Sequence, residues 1–407
     1  MFASYRRLFA APGALAFTLT GLFARLSFAM TGVSTVVLIA TRRDSYALAG
    51  AVSATGVVAI AVGLPLIGRL VDRYGQARVS VGAVLLAAWP TAGLLLCAHF
   101  GAPAWTLFVC CATSSVLPSL GGMTRARWAH LHRDDPAARH AANSLEQALD
   151  ELCFMGGPVF AMLLCTSLFP EAGLLAGAVL GSAGLLLFAA QRRTEPPVQP
   201  PAAGPERGAL RDGGLRVLVL VFAATGVVFG SMEVTTIAYA DALGQKPLAG
   251  GLLALVAAGS CVSGLVLGLV RGRVGTTGRL LLGVAAMTVL LLLPLAAGVS
   301  GAGLGLLGAA LFVAGSGTAP TMVAGMTMVQ EVLPERQLNE GMGVAVAGIL
   351  VGISTGAALG GVVAQQAAPG TGFLVPAGAA GVALLTALAG RRRLRVRPAP
   401  QVSALAA

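Results

Sequence analysis

The sequence predicts an all-α membrane protein: twelve transmembrane helices arranged as two six-helix bundles. Three observations carry that expectation. Of 407 residues, 56% are hydrophobic and only 11% charged, against roughly 25% charged in a soluble domain. The apolar residues gather into long runs rather than the alternating pattern of a barrel strand. The basic residues fall almost entirely on one side of those runs, as the positive-inside rule requires. A soluble core does not absorb this much apolar surface, because such cores stop growing near about 250–300 residues. Disordered chains are polar and charge-rich, so disorder is excluded as well.

A membrane helix needs about 20 apolar residues. Spans of that kind lie at 14–40, 47–70, 78–98, 103–124, 143–168, 172–190, 215–240, 248–270, 279–298, 302–328, 341–366 and 372–390. The first follows Arg6 and Arg7, as a signal peptide would. It is too long for an h-region, however, Arg25 interrupts it, and no small-residue cleavage site follows. It therefore counts as the first helix.

Alternate loops carry Arg6 and Arg7; Arg69, Arg73 and Arg78; Arg125, Arg127, Arg133 and Arg139; Arg192, Arg193, Arg207, Arg211 and Arg216; Arg271, Arg273 and Arg279; Arg336; and the tail from Arg391 to Arg397. The opposite loops carry only Arg42, Arg43 and Lys246. The expected placement is multi-pass in the plasma (inner) membrane with both termini cytoplasmic. The basic tail reads as a stop-transfer flank.

Residues 191–214, QRRTEPPVQPPAAGPERGALRDGG, are polar and Pro-rich, the composition of an extended, solvated linker. They separate an N-terminal six-helix bundle, 1–190, from a C-terminal one, 215–390, and 391–407 forms a basic cytoplasmic tail. The halves show a weak internal repeat. Gly68 and Gly75 close the second span, and Gly268 and Gly275 close the eighth. Arg139 and Asn143 precede helix 5, and Arg336 and Asn339 precede helix 11. A 6+6 repeat with a central cytoplasmic loop is the layout of secondary transporters, which bind substrate near the midplane between the halves.

Other classes fall away. The net charge of +11 comes from loop arginines, and 5% aromatics is too few for a nucleic-acid stacking platform. The only lysine is Lys246, so no phosphate-binding Gly-x-x-x-x-Gly-Lys motif exists and no nucleotide is expected. Cys97, Cys110, Cys111, Cys153, Cys165 and Cys261 lie inside apolar spans without metal-ligand or C-x-x-C spacing, and read as small core residues. No enzyme activity, metal or cofactor is expected. The energy source would be a proton gradient, and the protein would work as a monomer.

The turn after the second span reads Gly68-Arg69-Leu70-Val71-Asp72-Arg73-Tyr74-Gly75-Gln76-Ala77-Arg78. It resembles the G-x-L-a-D-R-x-G-R-K-x signature of the major facilitator superfamily, at the same place in the topology. A glycine at the first position lets two helices approach closely. Asp72 stands at a helix end, able to pair with Arg73 and with a neighbouring helix N-terminus. Gly75 permits the tight turn. The resemblance implies twelve helices of the facilitator fold and a cytoplasmic latch between helices 2 and 11 built from Gly68, Arg69, Asp72, Arg73, Gly75 and Arg78. Gln76 and Ala77 depart from the pattern, and the copy at 268–275 has Gly272 where Asp72 would be. The family's antiporters often carry a Gly-rich pattern ending in Gly-Pro in helix 5. Met155-Gly156-Gly157-Pro158 preserves its end, while Cys153 replaces an upstream glycine. A Gly156-Gly157-Pro158 step would bend the helix. The arginine that the family often places in helix 4 is absent from the span read here.

Charges inside the spans are the sharpest residue-level signal, since each costs about 2.5–3.5 kcal/mol at the bilayer centre. Arg25 lies about 18 Å from the cytoplasmic end of helix 1. Helix 5 carries Glu146 and Asp150 on one face at i, i+4 spacing, with Glu151 turned about 100° away. Arg25 is expected to pair with Asp150 or Glu151, and Glu146, nearest the water, to be interfacial. Three carboxylates against one guanidinium leave one free to take up and release a proton; the alternative is a permanent ion network fixing helix 1 to helix 5. Glu233 in helix 7, among Ser231, Thr235 and Thr236, is a candidate to carry a proton or bind a cationic group, or to be satisfied by those hydroxyls.

In the facilitator fold helices 1, 4, 7 and 10 line the cavity. Here they offer small residues with Phe17, Phe23, Phe28, Met30, Met232, Met322, Met326 and Met328, a soft, weakly polar surface without the Asn, Gln, Glu and Trp side chains a sugar requires. The expected activity is proton-coupled export of amphipathic small molecules. The alternatives are import of a small organic acid or amino acid anchored by Arg25, and a non-transporting membrane scaffold.

Overall fold

The computed structural model describes residues 3–198, 208–245, 248–269, 274–366 and 370–394. It is all-helical, with no strand among the described residues. Among the described residues, eleven helices are long and apolar enough to cross a membrane. In chain order the spans are α1 (Ala14–Arg43), α2 (Tyr46–Tyr74), α3 (Gln76–His99), α4 in two pieces (Ala104–Ser114 and Leu120–Leu131), α5 (Pro136–Ser167), α6 (Ala172–Ala190), α7 (Gly213–Ala242), α8 (Ala249–Leu267), α9 (Thr276–Leu290 and Leu292–Val299), α10 (Leu304–Gly315 and Thr318–Val332), α11 (Leu338–Gln366) and α12 (Leu374–Gly390).

Local chemistry sets the starts. Ser45 caps α2 by accepting from Leu48 N. Asp135 caps α5 through Ala137 N and Ala138 N, with Pro136 at the first helical position. Asp212 caps α7 through Gly214 N and Leu215 N. These satisfy amides that a helix start leaves without partners.

The fourth span departs from the 103–124 expected. Pro118, which has no N–H and disfavours helix at the residue before it, interrupts the helix after Ser114. Ser119 then caps a new helix by accepting from Gly122 N. The second piece runs to Leu131, which carries Arg125 and Arg127 out of the expected loop and into a buried helix, 3% and 0% exposed.

The first six spans enclose two apolar clusters and the last six one larger cluster. The tightest packing joins α7 to α11. Gly226 and Gly230 meet the carbonyls of Ile349 and Ile353, and Gly352 and Gly356 meet those of Ala223 and Val227. Backbones touch there because no side chain separates them. Large apolar side chains such as Trp89, 83% exposed, and Leu86, 77%, point outward, as a lipid-facing surface requires.

Contacts between the two sets of six join α2 to α11 and α5 to α8 and α10. Among the described residues, hydrogen bonds between the sets run from Glu151–Ser260 through Asn143–Gln330 to Asp72–Asn339, toward the side of the bundle that holds the linker's described ends. Linker residues 199–207 (with Arg207), Lys246, Arg271, Gly272, Arg273, Arg395 and Arg397 lie outside the described residues.

Candidate functional site

α1, α4 and α5 converge on one buried ion network. Arg25 donates to Glu146, to Asp150 Oδ1 at 3.1 Å and to Thr124 Oγ1 at 2.7 Å. Glu146 is fully buried and also accepts from Thr124 Oγ1 at 2.9 Å and Trp128 Nε1 at 2.7 Å. Arg125 donates to Asp150 Oδ2 at 2.8 Å. Of the two expected partners Arg25 takes Asp150 and not Glu151, and Glu146, expected to be interfacial, is its second carboxylate. Glu146 is the most enclosed of the three carboxylates, not an interfacial one. Arg125 supplies a second guanidinium, so two cations face two carboxylates and no surplus negative charge remains. That closure suits a buried network, where an unpaired charge is costly.

Glu151 points to the other set of helices. Its Oε1 accepts from Gln147 Nε2 at 3.0 Å and from Ser260 Oγ of α8 at 2.8 Å. Ser260 accepts from Thr318 Oγ1 of α10 at 2.9 Å. Glu233 is exposed, with no hydrogen bond or ion pair among the described residues. It sits three turns beyond Phe222, on the helical face where the Phe222 ring meets Gly325 of α10. The neighbouring hydroxyls do not serve it: Ser231 donates to Val227 O at 2.6 Å and Thr235 to Ser231 O at 2.6 Å.

The 68–78 turn builds a junction with α11. A Cβ on Gly68 would stand 2.5 Å from Asn339 O, so the helices cross there backbone to backbone. Asp72 Oδ1 accepts from Asn339 N at 3.0 Å and Nδ2 at 2.7 Å, and Oδ2 from Glu340 N at 2.8 Å. It caps α11 across the halves. Arg69 pairs with Glu340 at 2.7 Å, and Glu340 also accepts from Ala209 N at 3.1 Å, tying the linker's end to the junction. Gly75 has φ +89°, a turn that favours glycine. Arg73 does not pair with Asp72; it lies over the Tyr74 ring at 5.3 Å. Arg78 is exposed.

The departure at Gln76 acquires a reason. Gln76, 2% exposed, accepts from Arg127 Nε at 2.8 Å. Arg127 also donates to Thr194 Oγ1 at 2.8 Å, Gln191 O at 3.0 Å and Phe188 O at 3.1 Å, and stacks on Phe188 at 3.7 Å. It pins the linker's beginning to α3 and α6. The sequence reading missed this residue; the signal was Pro118-Ser119, which restarts the helix before it.

In helix 5, Gly157 makes a close approach, with a built Cβ 2.5 Å from that of Ala29 in α1. A Cβ on Gly156 would meet only the Phe160 ring of its own helix, and the helix continues through Pro158. The methionines expected to soften the cavity are packed instead: Met30, Met232, Met322, Met326 and Met328 are all buried, as is Phe17, whereas Phe23 and Phe28 are exposed. At the far end, Arg42 forks onto Glu171 at 2.8 and 3.0 Å, and His99 Nδ1 lies 2.9 Å from the same carboxylate. The Arg42 hydrogen bonds hold the Glu171 carboxyl down at about 2. No group of three or more potential metal ligands occurs among the described residues.

A family profile described as Major Facilitator Superfamily matches residues 17–311. An uncharacterized MFS-type transporter, y4rN of Sinorhizobium fredii, is 29% identical over 385 residues, covering 89% of this chain and 91% of that protein. Among solved structures, a bacterial homologue of the iron transporter ferroportin in the outward-facing state aligns with TM-score 0.71 at 15% identity, over 93% of this chain and 98% of that one. The human organic anion transporter MFSD10 aligns with TM-score 0.70 at 16% identity, over 94% and 100%. The E. coli fucose:proton symporter aligns with TM-score 0.66 at 15% identity, over 92% and 99%. At these identities the structural likenesses establish the fold.

Proposed function

The chain belongs to the major facilitator superfamily and is a multi-pass membrane transporter, and from that premise we propose that it exports amphipathic small molecules by proton-coupled alternating access. The observation that carries the reading is Glu233: an exposed carboxylate within an apolar span, with no hydrogen bond or ion pair among the described residues. A group so placed takes up either a proton or the cationic end of a cargo molecule.

Orientation follows from charge. With the arginine-rich end cytoplasmic, the joined ends are cytoplasmic and the conformation is outward-facing, the state in which a cargo is released outside. The Gly156-Gly157-Pro158 step resembles that of the family's antiporters and supports the export direction. The scarcity of Asn, Gln and Trp in the cavity helices supports an amphipathic rather than a hydroxyl-rich cargo.

Within this scheme Arg25, Glu146, Asp150 and Arg125 act as the rigid block that locks α1, α4 and α5 together, and the cation-free Glu151 and Glu233 are the groups available for coupling. The import reading loses its anchor, because the Arg25 guanidinium is already taken by Glu146, Asp150 and Thr124.

The test is accumulation of a panel of amphipathic fluorescent compounds in inside-out vesicles under an imposed pH gradient, with Glu233→Gln beside the wild type. Gradient-driven uptake whose pH profile is flattened by Glu233→Gln is the expected result. Uptake that ignores the gradient, or an unchanged profile in the variant, overturns the coupling assignment.

A further inference from the structure

Glu151 and the hydroxyls facing it form a chain that crosses from one half of the molecule to the other. Thr318 Oγ1 lies 2.9 Å from Ser260 Oγ and 2.8 Å from Gly315 O, and Ser260 Oγ lies 2.8 Å from Glu151 Oε1. A hydroxyl has one proton to donate and lone pairs to accept with, so Thr318 serves one of its two acceptors at a time. With Glu151 ionised, the order runs Thr318 to Ser260 to Glu151. With Glu151 protonated, the order reverses: Glu151 donates to Ser260, Ser260 to Thr318, and Thr318 to the Gly315 carbonyl. Every hydroxyl proton has an acceptor in both orders. Ser260 is 1% exposed and Thr318 3%, so the chain is sealed between α8 and α10.

Among the described residues, no cation is paired with Glu151. On its own helix it faces Gln147, which donates to it, and Asp150, a like charge. From α8 it faces Ser260 and the Cys261 thiol. α10 presents no charged residue before Glu331, which is bonded to Thr276 at the helix end. Arg25 of α1 and Arg125 of α4 are engaged by Glu146 and Asp150. When the halves part, Ser260 leaves with α8 and water takes its place. Water serves a carboxylate better than two donors in a sealed seam do, so ionisation favours parting and protonation favours closure.

We propose that Glu151 is the group through which the second half reads the protonation of the first: a coupling residue that holds the seam shut when protonated, through Ser260 and Thr318. This rests on the alternating-access reading above, and it adds the residue, its partners and the sign.

The experiment needs no substrate. The six native cysteines are replaced, and spin labels are placed at positions 133 and 392, both exposed and on opposite halves. The distance distribution of purified protein in lipid nanodiscs is recorded from pH 5 to pH 9. The wild type should move from the short, closed distance toward a longer one as pH rises, the ratio changing by up to about tenfold per pH unit for one linked proton. Glu151→Gln should keep both distances but lose the pH dependence. Ser260→Ala should shift the midpoint, and Glu151→Asp should restore a titration. A pH response surviving in Glu151→Gln, or a wild type with none, overturns the inference. A pH-dependent distance in a protein that moves no compound in vesicles supports the inference and overturns the export reading. Gradient-driven export without a pH-dependent distance does the reverse.

Discussion

Two junctions hold the halves together, and the internal repeat makes them counterparts: α2 against α11, and α8 against α5. The first is a charged latch. Asp72 gathers the two amides that open α11 and an Asn339 side chain, and the half-exposed Arg69 closes on Glu340. The second is a buried polar seam. Ser260 meets Glu151, and further toward the termini Asn143 Nδ2 bonds Thr327 Oγ1 at 2.9 Å and Gln330 Oε1 at 2.8 Å.

The repeat is visible in the asparagines, since Asn143 and Asn339 both serve junctions, but the glycines part company. Gly75 needs its φ of +89°. Its counterpart Gly275 sits at φ −63° with nothing within 4 Å of a built Cβ. The latch sets two carboxylates, Asp72 and Glu340, against helix-end amides and the Arg69 guanidinium. The seam sets one carboxylate, Glu151, against neutral donors alone, Ser260 and Gln147. On the proposal above, the first repeat unit fastens the halves and the second responds to a proton.

The contrast can be broken at graded strength. The largest effect is expected from Arg25→Ala, which removes the support of the helix carrying Glu151 and leaves Glu146 buried without its cation. Breaking one partner of a buried pair costs about 3–5 kcal/mol, so the melting temperature of the purified protein should fall sharply. An unchanged melt would show the network to be dispensable.

Next is Asp72→Ala. Hydrogen bonds to a charged group contribute about 1.5–3 kcal/mol, and their loss should slow transport and lengthen the distance across the closed end while leaving insertion intact. Unchanged flux removes the latch role. Asn143→Ala, which strikes uncharged bonds of the seam, should shift the same distance less, by the equivalent of about 0.5–1.5 kcal/mol. A shift as large as that of Asp72→Ala would erase the distinction between the junctions.

The smallest effect lies away from both. Glu171 drops from its ordinary 4.5 to about 2 under Arg42. A depressed folded-state value contributes stability above pH 4.5 that is lost as pH falls toward 2. Glu171→Gln should lower the melt slightly at neutral pH and leave it unchanged near pH 2, which flattens that acid limb; the effect is small because the pair is partly exposed.

Much of the fold was legible. Residues 172–190 and 14–40 stand out because a span must be about 20 residues long and apolar wherever it goes, and the 68–78 turn carried its junction in eleven residues. The candidate site was legible in its residue types and not in its pairing. Spacing put Glu146 and Asp150 on one face and Glu151 on another, and the structure keeps that division. Spacing did not say which face met α1 and which met α8. Arg125 and Arg127 read as loop charges because the apolar span ends at 124, yet the helix that restarts at Leu120 runs on to Leu131 and buries them.

By itself, then, the sequence determined what lipid and local geometry dictate residue by residue: the all-helical class, most of the apolar spans, and the turn at Gly75. The tertiary structure alone decided which carboxylates meet a guanidinium and which meets only neutral donors. That outcome depends on how α1, α4, α5 and α8 rotate against one another, and rotation is set by packing across helices distant in the chain rather than by any window of neighbouring residues.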